Sequence, residues 1–186
     1  VDSLNGKTIA ILATDGFEQS ELTGPRQQLS EAGATVHVVS PKGGKITGWN
    51  KTDWGDAVPV DKPLDAARPE EYDALVLPGG QINPDLLRID PQAIAFVKAF
   101  YQGGKPIAAI CHAPWLLIEA GLAKGRRMTA YPSIRTDLAN AGAVVCDEAA
   151  VRDEGIITSR NPDDIDAFSA AIAAEVASGK RYARAA

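Results

Sequence analysis

Cysteine and histidine are scarce in this chain. Two cysteines, Cys111 and Cys146, are too few for a disulfide scaffold, and their spacing is not that of paired metal ligands. Only His37 and His112 could join them, so neither zinc nor any other metal or cofactor is expected. Long apolar runs are missing as well: nothing approaches the roughly 20 residues of a membrane span, and the opening VDSLNGK has no hydrophobic signal core. A cytoplasmic protein without membrane contact is the expectation. Positive charge is not in excess either. With a net charge of −5 and basic residues scattered except at Arg126-Arg127 and Lys180-Arg181, a nucleic-acid partner is not expected. Internal repeats and low-complexity tracts are absent.

What is present reads as one ordinary globular domain over 1–186, with 45% apolar content. Apolar runs at Lys7 to Ala13, Thr35 to Ser40, Tyr72 to Leu77, Ile107 to Ile110 and Ile156 to Thr158 lack polar alternation, as strands buried on both faces do. Helical stretches separate them: one ending at Glu31-Ala32-Gly33, one opened by Asp90-Pro91 and closed by Gly103-Gly104, one from about Ser133 to Ala141, and a last from Pro162 to Ser178. Alternating strand and helix predicts an α/β fold with a mainly parallel sheet flanked by helices. Ile46 to Val60, with Trp49 and Trp54, reads as a short hairpin excursion packed by its tryptophans. His37, mid-strand among valines, and Cys146, after Val144-Val145, read as structural, Cys146 as core.

The stretch KPIAAICHAPWLL stands apart. Its strand stops at Cys111, and a helix begins with Pro114 in its first turn and ends near Gly121. Cys111 therefore sits at a strand-to-helix corner, flanked by the small Ala109 and Ala113 that a sharp nucleophile elbow needs. A helix N-terminus favours negative charge, so a depressed thiol pKa is expected. The plainer reading, a small buried hydrophobe, stands beside it at about even weight.

In open sheets of this kind ligands bind beyond the carboxyl ends of the strands. There the first strand leads to Glu18, the third to Gly79 and Gly80, and the fourth to Cys111 and His112. A carboxyl group, open backbone donors and a nucleophile with an adjacent imidazole thus converge on one edge.

Taken in order, GFEQSEL, LVLPGG, AICHAPWLL, TAYPSIRTDL and ITSRNPDDIDAF resemble the DJ-1/PfpI superfamily across nearly the whole chain. The resemblance implies a flavodoxin-like sandwich, related to class I glutamine amidotransferases, working as a homodimer or larger homo-oligomer. It makes Cys111 the nucleophile, Glu18 the carboxyl group bonded to its sulfur, and His112 the following histidine. Asp85, in GGQINPD, matches an acidic residue that orients this histidine from a neighbouring subunit. Gly79, Gly80 and the His112 N–H become oxyanion or substrate donors, and Tyr131 borders the pocket. Ala113 stands where the family has glycine. The implied activity is that of a stress-associated cysteine hydrolase acting on peptides or on methylglyoxal-derived groups, so a protease, deglycase or glyoxalase.

A protonated Glu18 would donate to the Cys111 thiolate, whereas an ionised one would oppose it. A stress sensor working through oxidation of Cys111 fits the same residues. A glutaminase triad does not, since no histidine follows His112. A flavin carrier is equally disfavoured, because TDGFEQS lacks a hydroxyl-rich phosphate cradle.

Overall fold

A computed structural model describes residues 3–183. The first half of the chain runs β1 (Thr8–Leu12), β2 (Phe17–Glu18), α1 (Gln19–Glu31), β3 (Thr35–Ser40), β4 (Lys45–Asn50), β5 (Asp53–Pro59), β6 (Lys62–Pro63), β7 (Ala74–Leu77), α2 (Ile82–Arg88) and α3 (Pro91–Gln102). The second half runs β8 (Ile107–Ile110), α4 (Pro114–Glu119), β9 (Arg127–Met128), α5 (Arg135–Asn140), β10 (Val144–Val145), β11 (Val151–Asp153), β12 (Ile156–Ser159) and α6 (Ile165–Ala177).

The main sheet has the order β11-β12-β8-β7-β1-β3-β6, parallel except for the edge pair β11-β12. Every residue of β7 and β8 is buried, which explains their unbroken apolar sequences: helices cover both faces. Successive residues of β1 serve opposite layers. Ala10 and Leu12 join a cluster with Phe96, Val97 and Leu117, while Ile9 and Ile11 join one with Leu22, Phe168 and Ile172. At roughly 1.5–3 kcal/mol for each large apolar side chain removed from water, these two layers dominate the stability of the fold.

From β1 the chain first moves outward through β3 and β6, then returns to build β7, β8 and β12 on the other side. The reversal lies between β1 and β7, and it opens a crevice at their carboxyl ends. β4 and β5 form the expected hairpin beside β2 and stand at this same edge.

Local signals placed most elements well. Asp90 caps α3 by accepting from Gln92 N at 2.8 Å and Ala93 N at 3.3 Å, with Pro91 in the first turn. Helix α2, in a stretch for which the sequence offered no element, forms across Pro84, which its first turn tolerates because an N–H there has no intrahelical acceptor to lose. One feature differs from the sequence reading. Cys146 is half-exposed rather than core, since β10 is a two-residue strand paired only with β9, outside the main sheet. Among the described residues no helix is long and apolar enough to cross a membrane.

Candidate active site

Cys111 follows the last residue of β8 with a φ of 65°, a left-handed conformation that costs a side-chain-bearing residue energy. The surrounding backbone holds it there: Cys111 N donates to Ser159 O at 3.1 Å, and Tyr131 N donates to Cys111 O at 2.9 Å. Ala113 is fully buried behind the corner. The elbow expected from sequence is present.

His112 Nδ1 lies 3.1 Å from Cys111 Sγ, and its Nε2 lies 3.1 Å from Ser133 Oγ. Tyr131 stacks on the ring at a centroid distance of 4.7 Å, and Trp115 meets it edge-on at 5.3 Å. Burial lowers the imidazole pKa, so the ring is neutral near pH 7. If Nε2–H donates to Ser133, Nδ1 is left free to accept the thiol proton.

The thiol does not have the depressed pKa expected at a helix start. Cys111 is only 5% exposed, and burial, followed by repulsion from Glu21 wherever that group is ionised, pushes its pKa up. The N–H groups of Gly80 and His112 point at the sulfur and act in the opposite direction. Helix α4 has six residues, too short a dipole to offset the loss of solvation. The resting group is a thiol, with His112 Nδ1 the nearest side-chain group that could take its proton.

Glu21, and not Glu18, is the carboxyl group beside the sulfur. It is fully buried in the first turn of α1, and its Oε2 accepts from Gly79 N at 2.8 Å. Its Oε1 makes no hydrogen bond of ordinary geometry, and Cys111 is close enough for the two to perturb each other. Burial raises Glu21 to about 8, so the group is predominantly a carboxylic acid at neutral pH. Glu18 lies just before α1, half-buried, accepts from Ser20 Oγ at 3.3 Å, and lines the cleft mouth. FEQSEL holds both glutamates, but only position 21 shares the inward face with Leu22, Pro25 and Leu29. That helical spacing was the signal for Glu21.

The two glycines divide their tasks. A Cβ on Gly79 would lie 2.5 Å from Glu21 Oε2 and 2.6 Å from Cys111 Cβ, so glycine lets carboxyl, backbone and thiol meet. Gly80 has a φ of 81°, and a Cβ there would lie 2.6 Å from Gly16 O. Gly79 N–H is spent on Glu21; the Gly80 N–H faces the sulfur.

Asp85 is not brought to this cluster within the chain. It stands exposed on α2, near the exposed Ile82, Leu86 and Ile89, while Ser133 occupies His112 Nε2. The cleft over Cys111 has a volume of about 420 Å³ and is walled by Trp49, Gly80, Ile82 and Tyr131. Among the described residues no group of three His, Cys, Asp or Glu gathers as metal ligands would.

The family model described as DJ-1/PfpI family matches residues 7–175. Protein/nucleic acid deglycase 2 of Escherichia coli is 44% identical over 165 residues, 88% of this chain and 94% of that protein. A Bacillus subtilis protein whose name marks it as a candidate cysteine protease, YraA, is 44% identical over 164 residues, again 88% and 94% of the two chains. Among solved structures, Drosophila melanogaster DJ-1beta superposes with a TM-score of 0.84 at 31% identity, covering 94% of this chain and 91% of that one.

Proposed function

Because the chain belongs to the DJ-1/PfpI family, we propose that it is a cysteine-dependent hydrolase that removes carbonyl-derived groups from amines. The observation that carries this reading is the Cys111 corner: a sulfur at the floor of a cleft, 3.1 Å from a neutral imidazole, with two backbone N–H groups aimed at it. Such a constellation does nucleophilic chemistry at an electrophilic carbon.

Cys111 Sγ bonds to the carbinol carbon of the adduct as the carbon–nitrogen bond breaks. The thiol proton passes to His112 Nδ1 and from there to the departing amine. A hydrogen shift between adjacent carbons converts the resulting hemithioacetal into a hydroxyacyl thioester. Water hydrolyses that thioester, releases a hydroxy acid and restores the thiol. The Gly80 and His112 N–H groups hold the oxyanions that form on the way. Glu21, protonated, hydrogen-bonds the thiolate and so offsets part of its burial. Peptide hydrolysis would use the same groups, the sulfur adding to an amide carbonyl and an amine leaving with the proton from His112.

The apolar Ile82, Leu86 and Ile89 on α2, exposed next to Asp85, support a homo-oligomer in which Asp85 approaches His112 of a second copy. Oxidative sensing through Cys111 receives less support, because a thiol 5% exposed with a raised pKa oxidises slowly.

The test is turnover by wild type and Cys111→Ser under reducing conditions, on the methylglyoxal adduct of an amine and on a fluorogenic peptide in parallel. Hydroxy acid and free amine should appear with wild type alone. Equal rates with the two proteins would overturn the reading.

A further inference from the structure

The cleft over Cys111 does not end at the cysteine's own chamber. A second lobe of about 260 Å³ adjoins it, and the two share Glu18, Lys51 and Pro162 as a common neck. Beyond the neck the lining side chains are Gln19, Ser20, Thr23 and Asn50, each with a group able to hydrogen-bond.

This second lobe is a braced structure. Gln19, at the start of α1, grips the hairpin: its Nε2 donates to Asp56 Oδ2 at 3.0 Å and its Oε1 accepts from Asp56 N at 2.7 Å. The hairpin tip is fixed by Trp49, whose Nε1 donates to Lys51 O at 3.0 Å, and Trp49 packs edge-on against Trp54 at 5.5 Å. Lys51 itself has a φ of 58°, so the turn presents this residue at the neck in an uncommon backbone conformation. The tryptophan pair therefore supports a wall of the cleft.

Charge at the neck is unmatched. Glu18, no longer needed at the sulfur, accepts only from Ser20, and neither Glu18 nor Lys51 forms a salt bridge with a described residue. A carboxyl group and an ammonium group without ion-pair partners among the described residues, followed by hydroxyl and amide side chains, match a ligand that carries both an N–H donor and a carboxylate. A free dicarbonyl has neither and would leave the second lobe unused.

We infer, resting on the hydrolase reading above, that the second lobe binds the amino-acid half of the substrate. Glu18 receives the N–H of the leaving amine, and Lys51 the carboxylate of the amino acid. Both are specificity-determining residues and neither enters the covalent steps.

Two measurements test this. In the first, kcat/KM is compared for free methylglyoxal and for the freshly formed methylglyoxal adduct of Nα-acetyl-lysine, in wild type, Lys51→Asn and Thr23→Trp. Asparagine tolerates the left-handed backbone while removing the charge, and the tryptophan fills the lobe from the exposed face of α1. Each variant should lose at least tenfold more on the adduct than on methylglyoxal. Parallel losses on both substrates would overturn the inference and leave the hydrolase reading intact, whereas turnover that survives Cys111→Ser would overturn that reading instead. The second measurement needs no turnover: Nα-acetyl-lysine is titrated into the wild-type protein while tryptophan fluorescence reports on Trp49 and Trp54 of the hairpin and on Trp115 beside His112. A saturable change, weakened at least tenfold in Lys51→Asn, is expected. No saturable change, or equal affinity in the variant, would overturn the inference.

Discussion

Cys111 and Cys146 both follow short apolar strands, and their surroundings share almost nothing. Cys111 closes a central strand of the main sheet and is held at a φ of 65° by hydrogen bonds from its neighbours. Cys146 follows β10 in a two-stranded sheet at the periphery, half-exposed, with its Sγ 3.6 Å from Val144 O. Neither exposure nor an intrinsically acidic thiol distinguishes the first. Cys111 is the more buried, and its pKa is pushed up. What separates them is company: an imidazole, two aimed N–H groups and a carboxylic acid surround Cys111, whereas Arg127 is the ionisable neighbour of Cys146. The assembled edge, rather than the sulfur itself, is what sets Cys111 apart from Cys146.

Exchanging one sulfur at a time gives the largest contrast. Cys111→Ser should lower kcat/KM by roughly 10³-fold or more, since the serine hydroxyl is far less readily ionised than the thiol. Cys146→Ser should stay within about twofold of wild type, because Cys146 follows the peripheral two-stranded sheet and does not line the cleft. Comparable losses in steady-state assays of the two variants would erase the distinction.

Glu21 sharpens the contrast through pH. Its pKa in the folded protein is about 8, above its ordinary value of 4.5. Between those values the folded protein keeps a proton that the unfolded chain has released, so stability is highest below the lower value and falls as pH rises toward the upper one. The loss is on the order of 3–5 kcal/mol across that window. Glu21→Gln keeps an acceptor for Gly79 N–H and cannot ionise, so urea midpoints at pH 5, 6.5 and 8 should lie much closer together than for wild type. An unchanged pH slope in the variant would mean that another group carries it.

The Gly80 N–H can be displaced without touching any side chain. Gly80→Ala places a Cβ against Gly16 O and Glu18 N, backbone atoms that cannot turn aside, in a conformation that already disfavours alanine. The donor should leave its position at the sulfur, with kcat falling about 10²-fold. Gly43→Ala is the matched control: a Cβ there meets nothing, and both activity and stability should be unaffected. Wild-type kcat in Gly80→Ala would remove the oxyanion role.

Much of this site was legible before any coordinates. Apolar runs without alternation gave the buried strands, and the abrupt ends at Cys111 and Gly79-Gly80 pointed to the edge where the cleft lies. Three features resisted. Glu18 and Glu21 differ by one helical turn, and choosing between them depended on where α1 begins, at Gln19, which its start does not announce because Glu18 makes no side-chain cap. The thiol pKa could not be read from a helix start alone, since burial depends on how tightly the Gly79 loop closes over the corner. Ser133 was invisible because TAYPSIRTDL gives no reason for its hydroxyl to meet an imidazole 21 positions earlier. Such meetings arise from tertiary packing, which no local spacing encodes.

Ser133 supports the smallest effect and separates two ways of orienting His112. Where its Oγ, 3.1 Å from Nε2, accepts from Nε2–H, the contact holds the tautomer that leaves Nδ1 free for the thiol proton. It touches no reacting atom, so it is a positioning residue. Ser133→Ala should reduce kcat roughly tenfold with KM little changed, because a misoriented base slows proton transfer without altering the cleft. The acid limb of the pH–rate profile should also move. That limb reports the neutral imidazole, whose pKa burial lowers, and loss of the hydroxyl changes the stability of the protonated ring. Ser133→Thr, which retains the hydroxyl, should restore both kcat and the limb. If Ser133→Ala instead leaves kcat and the limb where they are while Asp85→Asn shifts them, the imidazole is held across a subunit interface and the contact within the chain is dispensable.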